Sequence, residues 1–247
     1  MTGPAPGPDH ERAAEVAASL ARVRARITAA CQAAGRDPGE VTLIAVTKTF
    51  PASDIRVLAS LGVLDVGENR DQEAAPKAAA LTDLRDELTW HFVGQLQTNK
   101  AASVARYANV VHSVDRPRLA AALGAGARKS GRTLRCLVQV SLDDDPVRGG
   151  APADQVPLVA DTVASEDGLE LGGVMAVVPL AAESVPGGPL AAFERLAEVA
   201  SAVRATHPGA VMISAGMSAD LEDAITAGAT HVRVGTALLG GRPGLVG

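Results

Sequence analysis

A lysine at the end of an apolar run is the first residue of this sequence that is suited to chemistry. Lys48 follows Leu-Ile-Ala-Val-Thr at residues 43–47, and this β-branched run predicts a buried strand. An amine captures a carbonyl group only when it is neutral, whereas a free lysine, with a pKa of about 10.4, is almost fully charged at pH 7. Apolar surroundings lower the pKa of an amine by desolvation. Lys48 is therefore a candidate for Schiff-base formation, and a solvated lysine at the rim of the fold is the alternative.

Two short segments near the C-terminus have the composition of phosphate-binding turns. Residues 214–218 read Ser-Ala-Gly-Met-Ser, and residues 235–236 read Gly-Thr. Small residues let the backbone approach an anion closely, and exposed N–H groups with hydroxyls beside them neutralise its charge. The candidates for this role are Ser214, Gly216, Met217, Ser218, Gly235 and Thr236. The structural alternative is that Ser218 caps a helix and Gly235 forms a tight turn.

Arg233 lies in an apolar run two residues before Gly235, and strand alternation places both residues on the same face. A buried guanidinium needs a partner because an unpaired buried charge is costly. That partner is either a carboxylate, such as that of Glu68, or the ring nitrogen of a pyridine cofactor. In the second case the arginine donates a hydrogen bond and keeps its proton. The pyridine nitrogen then stays unprotonated, and the ring is a weak electron sink.

Eight short apolar runs alternate with Ala-rich segments that are each long enough for a helix. The runs predicted to be strands are residues 41–47, 64–67, 90–93, 110–114, 134–140, 169–174, 211–214 and 231–234. Strands that are apolar on both faces and alternate with helices are typical of a parallel sheet. Eight such units predict a single closed (β/α)8 barrel of the TIM type, an α/β fold. Barrel enzymes bind ligands at the rim where the strands end, with phosphate groups often held after strands seven and eight.

An additional helix is predicted before the barrel, over residues 9–34. Its apolar residues recur at steps of three and four: Val16, Leu20, Val23, Ile27 and Cys31. Gly35 is placed where a helix commonly ends with a positive φ. Residues 1–8, rich in Pro and Gly, are predicted to be a disordered tail, and residues 9–247 to form one domain.

Other polar residues are expected to have structural roles. Two loops, residues 143–150 and 179–189, are predicted at the same rim as Lys48. The three adjacent acids of the first loop lack the further ligands that a metal site needs. His91 is expected to fill a layer of the barrel, and His112 and His207 have no evident partners in the sequence.

The composition argues against nucleic-acid and membrane partners. The net charge of −5 offers no basic field for phosphate backbones or anionic lipid. No apolar run approaches the roughly 20 residues that cross a bilayer, and the N-terminus does not read as a signal peptide. Cys31 and Cys136 are isolated, as is usual for free cysteines in a reducing compartment. We therefore expect a cytoplasmic protein.

Six segments of the sequence match, in order, the motifs of one family. They are residues 45–49, 67–69, 90–100, 173–176, 214–218 and 232–236. These segments resemble the pyridoxal phosphate homeostasis protein family, whose members look like the isolated N-terminal barrel of alanine racemase. The resemblance implies that Lys48 carries pyridoxal 5′-phosphate (PLP) as a Schiff base, that the two turns surround its phosphate, and that Arg233 faces the pyridine nitrogen. It adds Asn69, beside the cofactor, and Met175 to the candidate binding residues.

The resemblance also implies a function, namely PLP binding in intracellular vitamin B6 homeostasis without turnover. A racemase of this type needs a second domain that supplies a tyrosine, whereas 11 residues follow Thr236 and the one tyrosine, Tyr107, is expected away from the rim. We therefore expect a monomer whose partners are PLP and PLP-dependent apoenzymes. Two alternatives stay open: a slow PLP-dependent amino-acid racemase, and a barrel aldolase or isomerase that uses Lys48 on a sugar phosphate.

Overall fold

The computed structural model describes residues 8–142, 149–178 and 187–241. Within these residues eight parallel strands form a closed barrel in the order of the sequence, so that the last strand pairs with the first. The strands are β1 (Thr42–Val46), β2 (Asp65–Glu68), β3 (Thr89–Phe92), β4 (Val110–Val114), β5 (Leu134–Gln139), β6 (Leu169–Met175), β7 (Met212–Ser214) and β8 (His231–Val234). The prediction of a closed (β/α)8 barrel is confirmed.

A helix follows each strand, and one further helix precedes β1. The helices are α1 (Pro8–Ala33), α2 (Ala52–Ser60), α3 (Asp71–Ala80), α4 (Ala101–Val104), α5 (Pro117–Ser130), α6 (Val156–Ser165), α7 (Gly188–Thr206), α8 (Leu221–Thr226) and α9 (Thr236–Leu239). Helix α5 illustrates how residue types at its ends favour helix formation. Pro117 is its first residue, Arg128 and Lys129 lie in its last turn, and Gly131 ends it with a φ of 62°. Each of these residue types favours the position that it occupies.

The predicted N-terminal helix is confirmed to within one residue at each end. All five of its predicted apolar residues are buried: Val16, Leu20, Val23, Ile27 and Cys31. They pack in one cluster with apolar residues of α8, α9, β1 and β8. Burial of each such side chain contributes about 1.5–3 kcal/mol. Gly35 follows with a φ of 66°, as predicted, and α1 thus covers the seam where β8 meets β1.

The inside of the barrel is only partly apolar. Val110, Leu137, Met175 and Met212 form a small buried cluster. Four polar side chains on β3, β4, β7 and β8 are also buried, namely His91, His112, Ser214 and Arg233. Because buried polar groups must form hydrogen bonds within the protein, this interior needs a polar network of its own.

Parts of three predicted segments lie outside the described residues. They are the tail apart from Pro8, residues 143–148 of the first loop with its three acids, and residues 179–186 of the second. Across the described ranges, none of the helices has the length and apolar character needed to cross a bilayer. The same ranges hold no group of three or more His, Cys, Asp and Glu side chains arranged to bind a metal ion.

Candidate functional site

Lys48 lies just beyond the C-terminal end of β1, where the sequence predicts it. Its side chain is half-buried, and its ammonium makes no hydrogen bond or ion pair with any described residue. The next residue, Thr49, has a φ of 69°, and its N–H donates to Glu73 Oε2 at 3.0 Å. A positive φ is a genuine outlier for a β-branched residue, and such strain is concentrated at functional sites. No sequence pattern indicates this strain beside the candidate lysine.

A second lysine lies near the end of β1, and its ammonium donates two hydrogen bonds. Lys77 Nζ donates to Glu68 Oε1 at 2.6 Å and to the carbonyl oxygen of Thr47 at 2.8 Å. Thr47 Oγ1 donates to the same Glu68 oxygen at 2.6 Å. Burial raises the pKa of Glu68, and the hydrogen bonds from Lys77 and Thr47 oppose that rise. Glu68 therefore pairs with Lys77, and the structural alternative in which it neutralises Arg233 is wrong.

Asn69 follows Glu68 at the end of β2, and its backbone runs against the next loop. A Cβ atom at Gly94 would lie 2.1 Å from the carbonyl oxygen of Asn69, so only glycine fits there. The side-chain amide of Asn69 is half-buried and has no hydrogen-bond partner among the described residues. Its donor and acceptor groups are therefore available to a ligand at this end of the barrel.

The predicted turn after β7 is compact and is tied to β8. Gly216 has a φ of 89°, and a Cβ atom there would lie 2.7 Å from Ala224 Cβ. The carbonyl oxygen of Gly216 accepts a hydrogen bond from the N–H of Arg233 at 2.9 Å. The N–H of Met217 donates to Asp220 Oδ1 at 2.6 Å and is therefore not free for an anion.

Other donors of the two turns remain unused. The N–H groups of Ser218 and Gly235 donate to no group in the described part of the chain, and the hydroxyls of Ser218 and Thr236 are likewise unbonded there. A Cβ atom at Gly235 would lie 3.4 Å from the carbonyl oxygen of Val46, so the turn after β8 lies close against β1. Free donors after β7 and β8 thus lie on the same side of the barrel as Lys48.

Arg233 is a buried cation whose hydrogen-bond partners are neutral. Its side chain is 5% exposed and donates to Ser214 Oγ at 2.6 Å and to the carbonyl oxygen of Ala176 at 2.8 Å. Burial lowers the pKa of Arg233 to about 10, while the charge of Asp220 acts weakly in the opposite direction. The guanidinium is therefore still charged at neutral pH. Within the described ranges no carboxylate forms an ion pair with it, and further N–H donors remain available.

Two further candidates help to hold Arg233. Ser214, the last residue of β7, is fully buried and accepts from the guanidinium, so its hydroxyl is not part of the exposed turn. Met175, the last residue of β6, is buried in the interior cluster and precedes Ala176, which accepts the other guanidinium hydrogen bond.

Sequence reasoning missed the partners of two histidines. His112 bonds to Ser214 Oγ through Nδ1 at 2.9 Å and to His91 Nδ1 through Nε2 at 2.8 Å. His207 Nε2 lies 2.8 Å from Asp161 Oδ1. The sequence does not indicate these partners, because residues 102 and 46 positions apart in the chain meet only in the folded barrel. A structural role for both histidines stays a prediction.

Comparison with known proteins places this geometry in a family. Residues 18–243 match the model of the alanine racemase N-terminal domain. The pyridoxal phosphate homeostasis protein of Mycobacterium tuberculosis is 44% identical over 249 aligned residues, which cover 94% of this chain and 95% of that protein. The chain belongs to the pyridoxal phosphate homeostasis protein family.

Solved structures extend the comparison from the family to the fold. The structure of PipY from Synechococcus elongatus with PLP bound matches with a TM-score of 0.78 and 34% identity, covering 91% of this chain and 100% of that one. Alanine racemase from Corynebacterium glutamicum matches with a TM-score of 0.63 and 18% identity, and the match covers 60% of its chain. The racemase likeness is one of fold alone. The resemblance of the six sequence segments to this family is confirmed.

Proposed function

We propose that this protein binds PLP as a Schiff base on Lys48 and serves intracellular vitamin B6 homeostasis without catalytic turnover. The observation that carries the proposal is the pairing of β1 with β8. It brings β1, which is followed by Lys48, beside β8, which holds the buried Arg233 with no carboxylate partner among the described residues. Membership of the family and the PLP-bound structure of PipY support the same assignment.

The unused groups of the site fit the three functional parts of PLP. An unpaired amine at Lys48 suits the aldehyde. The free N–H groups of Ser218 and Gly235, with the hydroxyls of Ser218 and Thr236, suit the phosphate. The remaining guanidinium donors of Arg233 suit the ring nitrogen, which accepts but does not donate. Together with Asn69, Met175, Ser214, Gly216 and Met217, these residues make up the proposed binding site.

Arg233 also argues for a carrier over a catalyst. When bound, PLP supplies an aldehyde for amines and a ring that withdraws electrons from an attached carbon. A guanidinium with a pKa of about 10 holds its own proton at neutral pH, so it leaves the ring nitrogen unprotonated and the ring a weaker electron sink. The residues around the site therefore favour tight holding of PLP over carbanion chemistry.

The position of the tyrosine weakens the racemase alternative. Tyr107, the one tyrosine of the chain, lies before the start of β4 and packs edge-on against Trp90, with ring centroids 6.2 Å apart. It packs on the apolar cluster that holds Trp90, Leu81 and Leu88, and none of the candidate site residues belongs to that cluster. Burial, followed by the nearby charges of Asp71 and Glu68, raises the pKa of its hydroxyl. A racemase of this type would need a tyrosine beside Lys48 as its second acid–base group, and Tyr107 does not occupy that position.

The visible absorption spectrum of the purified protein after addition and removal of excess PLP tests the binding site. We expect a visible band in the wild type that is lost in Lys48→Ala and kept in Lys129→Ala, which alters an exposed lysine of α5. The chain has four lysines, so borohydride reduction and peptide mass spectrometry assign the modified residue directly. A protein that takes up no PLP but is trapped by borohydride with a sugar phosphate would favour the aldolase or isomerase alternative.

The absence of turnover and the partners need their own tests. PLP-loaded protein incubated with L-alanine or L-serine is expected to give no D-isomer in chiral analysis, whereas accumulation of that isomer supports the slow racemase. We further propose PLP-dependent apoenzymes as recipients, a monomeric state and a cytoplasmic location. Transfer to apoenzymes predicts that loaded protein activates an apo-aminotransferase faster than the same concentration of free PLP does. Light scattering tests the monomeric state, and cell fractionation tests the location.

A further inference from the structure

A chain of hydrogen bonds crosses the inside of the barrel and ends at Arg233. Arg233 donates to Ser214 Oγ at 2.6 Å, and Ser214 Oγ lies 2.9 Å from His112 Nδ1. His112 Nε2 lies 2.8 Å from His91 Nδ1, and His91 Nε2 lies 2.9 Å from Asp65 Oδ1. The middle members are sealed from water, since Ser214 and His112 are 0% exposed and His91 is 2% exposed.

The two ends of this chain lie at opposite ends of the barrel. Asp65 is the first residue of β2, and its side chain is 31% exposed. Arg233 lies two residues before the turn that follows β8, at the end where Lys48 is found. Parallel strands all begin at one end of a barrel and finish at the other. A solvent-accessible carboxylate at the far end is thus connected to the proposed cofactor site through four hydrogen bonds.

The Asp65 carboxylate determines which atom donates in each hydrogen bond of this chain. An ionised carboxylate only accepts, so His91 must carry a hydrogen on Nε2. In its neutral form His91 then accepts at Nδ1, so that His112 must donate from Nε2. Burial holds the pKa of His112 well below its ordinary value, so His112 is neutral and its Nδ1 accepts from Ser214.

The same direction follows independently from the Ser214 end. The hydroxyl of Ser214 has two hydrogen-bond partners among the described residues, and one of them, Arg233, can only donate. The hydroxyl hydrogen therefore goes to His112 Nδ1, or it is left without an acceptor in a fully buried position. An unsatisfied buried donor costs about 1–3 kcal/mol. Both ends of the chain agree on one arrangement, with every hydrogen directed from Arg233 towards Asp65.

We propose that Asp65 is a positioning residue for Arg233, acting through the direction that its carboxylate imposes on the His91–His112–Ser214 hydrogen bonds. With the hydroxyl hydrogen of Ser214 turned to His112, the lone pairs of Oγ face Arg233 and fix one guanidinium nitrogen. The other N–H groups are then held towards the ring nitrogen of the cofactor, a consequence that rests on the proposed function. With the reverse direction, Oγ accepts from both His112 Nδ1 and Arg233, its own hydrogen has no acceptor, and the serine that anchors the guanidinium is held less well.

The surroundings of His91 contain one other histidine, which has a separate partner. The His231 ring centroid lies 6.4 Å from that of His91, and His231 Nδ1 lies 2.8 Å from Thr230 Oγ1. Burial lowers the pKa of His231 to about 4, so this neighbour is neutral at pH 7 and leaves the direction of the chain to Asp65.

Nitrogen-15 NMR of histidine-labelled, PLP-free protein at pH 7 tests the proposal. In the wild type we expect His91 and His112 to be neutral with the hydrogen on Nε2. In Asp65→Ala we expect a minor fraction of the Nδ1–H form to appear at both residues together, because only the cost of leaving the Ser214 hydroxyl without an acceptor, about 1–3 kcal/mol, then opposes it. Asp161→Ala, the matched control, removes the carboxylate beside His207 and should change that histidine alone. A doubly protonated His91, an Nδ1–H His112 in the wild type, or an unchanged His112 in Asp65→Ala would overturn the proposal.

The loaded protein supplies the second readout. PLP release from Asp65→Ala is expected to be roughly three- to tenfold faster than from the wild type and from Asp161→Ala. Equal release rates would overturn the positioning role even where the NMR spectra agree with the stated direction. If the spectra agree but the wild type takes up no PLP, the hydrogen-bond direction stands and the proposed function fails, so the two failures are distinguishable.

Discussion

Lys77 Nζ lies 2.6 Å from Glu68 Oε1, directly behind the strand end that carries Lys48. The same ammonium donates to the carbonyl oxygen of Thr47, the residue before Lys48. The two neighbouring lysines therefore differ in availability, since one is held by a buried carboxylate and the other is unpaired within the described residues. The proposed Schiff base requires this difference, with one amine free for a carbonyl ligand while the other supports the backbone.

Loss of the Glu68 carboxylate should be costly because Lys77 would remain as an unpaired charge that is 12% exposed. We expect Glu68→Gln to lower the free energy of unfolding by about 3–5 kcal/mol, measured by denaturant titration. The control is Glu170→Gln, which breaks the exposed pair with Arg135 and should cost at most about 1 kcal/mol. Equal effects of the two variants would contradict a structural role for the buried pair.

Relief of the strain at Thr49 should stabilise the fold. A left-handed backbone costs an L-residue about 1–2 kcal/mol, and glycine escapes that cost but loses about 0.5–1 kcal/mol in chain entropy. We expect Thr49→Gly to raise the free energy of unfolding by up to about 1 kcal/mol. Thr49→Ala keeps the strain and should give no such gain. Equal free energies of unfolding for the two variants in denaturant titration would show that the φ of 69° does not destabilise the fold.

Gly94 should not tolerate any side chain, because its Cβ atom would overlap the backbone of Asn69. We expect Gly94→Ala to lose at least about 2 kcal/mol of stability, within the range of overpacked sites, and to weaken PLP binding as Asn69 is displaced. At Gly209 a Cβ atom would meet nothing within 4 Å, so Gly209→Ala should be close to neutral in both measurements. An unchanged melting temperature in Gly94→Ala would argue against the close approach.

Acidification should destabilise the protein through His231. Burial lowers the pKa of this residue to about 4 from an ordinary value of 6.5, so the unfolded chain binds the proton more readily. The stability that neutral His231 confers is present above pH 6.5 and is lost as the pH falls towards 4. Between pH 7 and pH 5 the loss is about 2 kcal/mol. His231→Gln should reduce the pH dependence of unfolding free energy by about that amount, whereas His10→Gln, at an exposed position of α1, should leave it unchanged.

The barrel can be predicted from the sequence alone because each of its strand–helix units has a recognisable local pattern. The predicted strands 110–114 and 231–234 match β4 and β8 at both ends, and the others differ by one residue at one or both ends. Short β-branched runs predict strands by their burial on both faces, whatever their partners are. The order around the barrel then follows from the eightfold repetition.

The contacts inside the site could not be predicted in the same way. Strand alternation indicates that Arg233 points inward, but it does not say which residue receives its hydrogen bonds. Ser214 is 19 positions away and Ala176 is 57 positions away. The N–H of Thr49 likewise donates to Glu73, which lies on helix α3, 24 positions away. Such partners are decided by the relative placement of strands, which a local pattern does not contain.

The pairing of β1 with β8 has a consequence for the order of events during synthesis. Ala45 is the register partner of Val234, so the two strands that frame the site are nearly the first and nearly the last parts of the barrel to leave the ribosome. Until β8 pairs with β1 and closes the barrel, Lys48 has neither Arg233 nor the turn after β8 beside it. A partly made chain therefore lacks the proposed PLP site. Retention of PLP at the proposed site would therefore report that the barrel has closed, and chains that still lack β8 would draw nothing from the PLP pool.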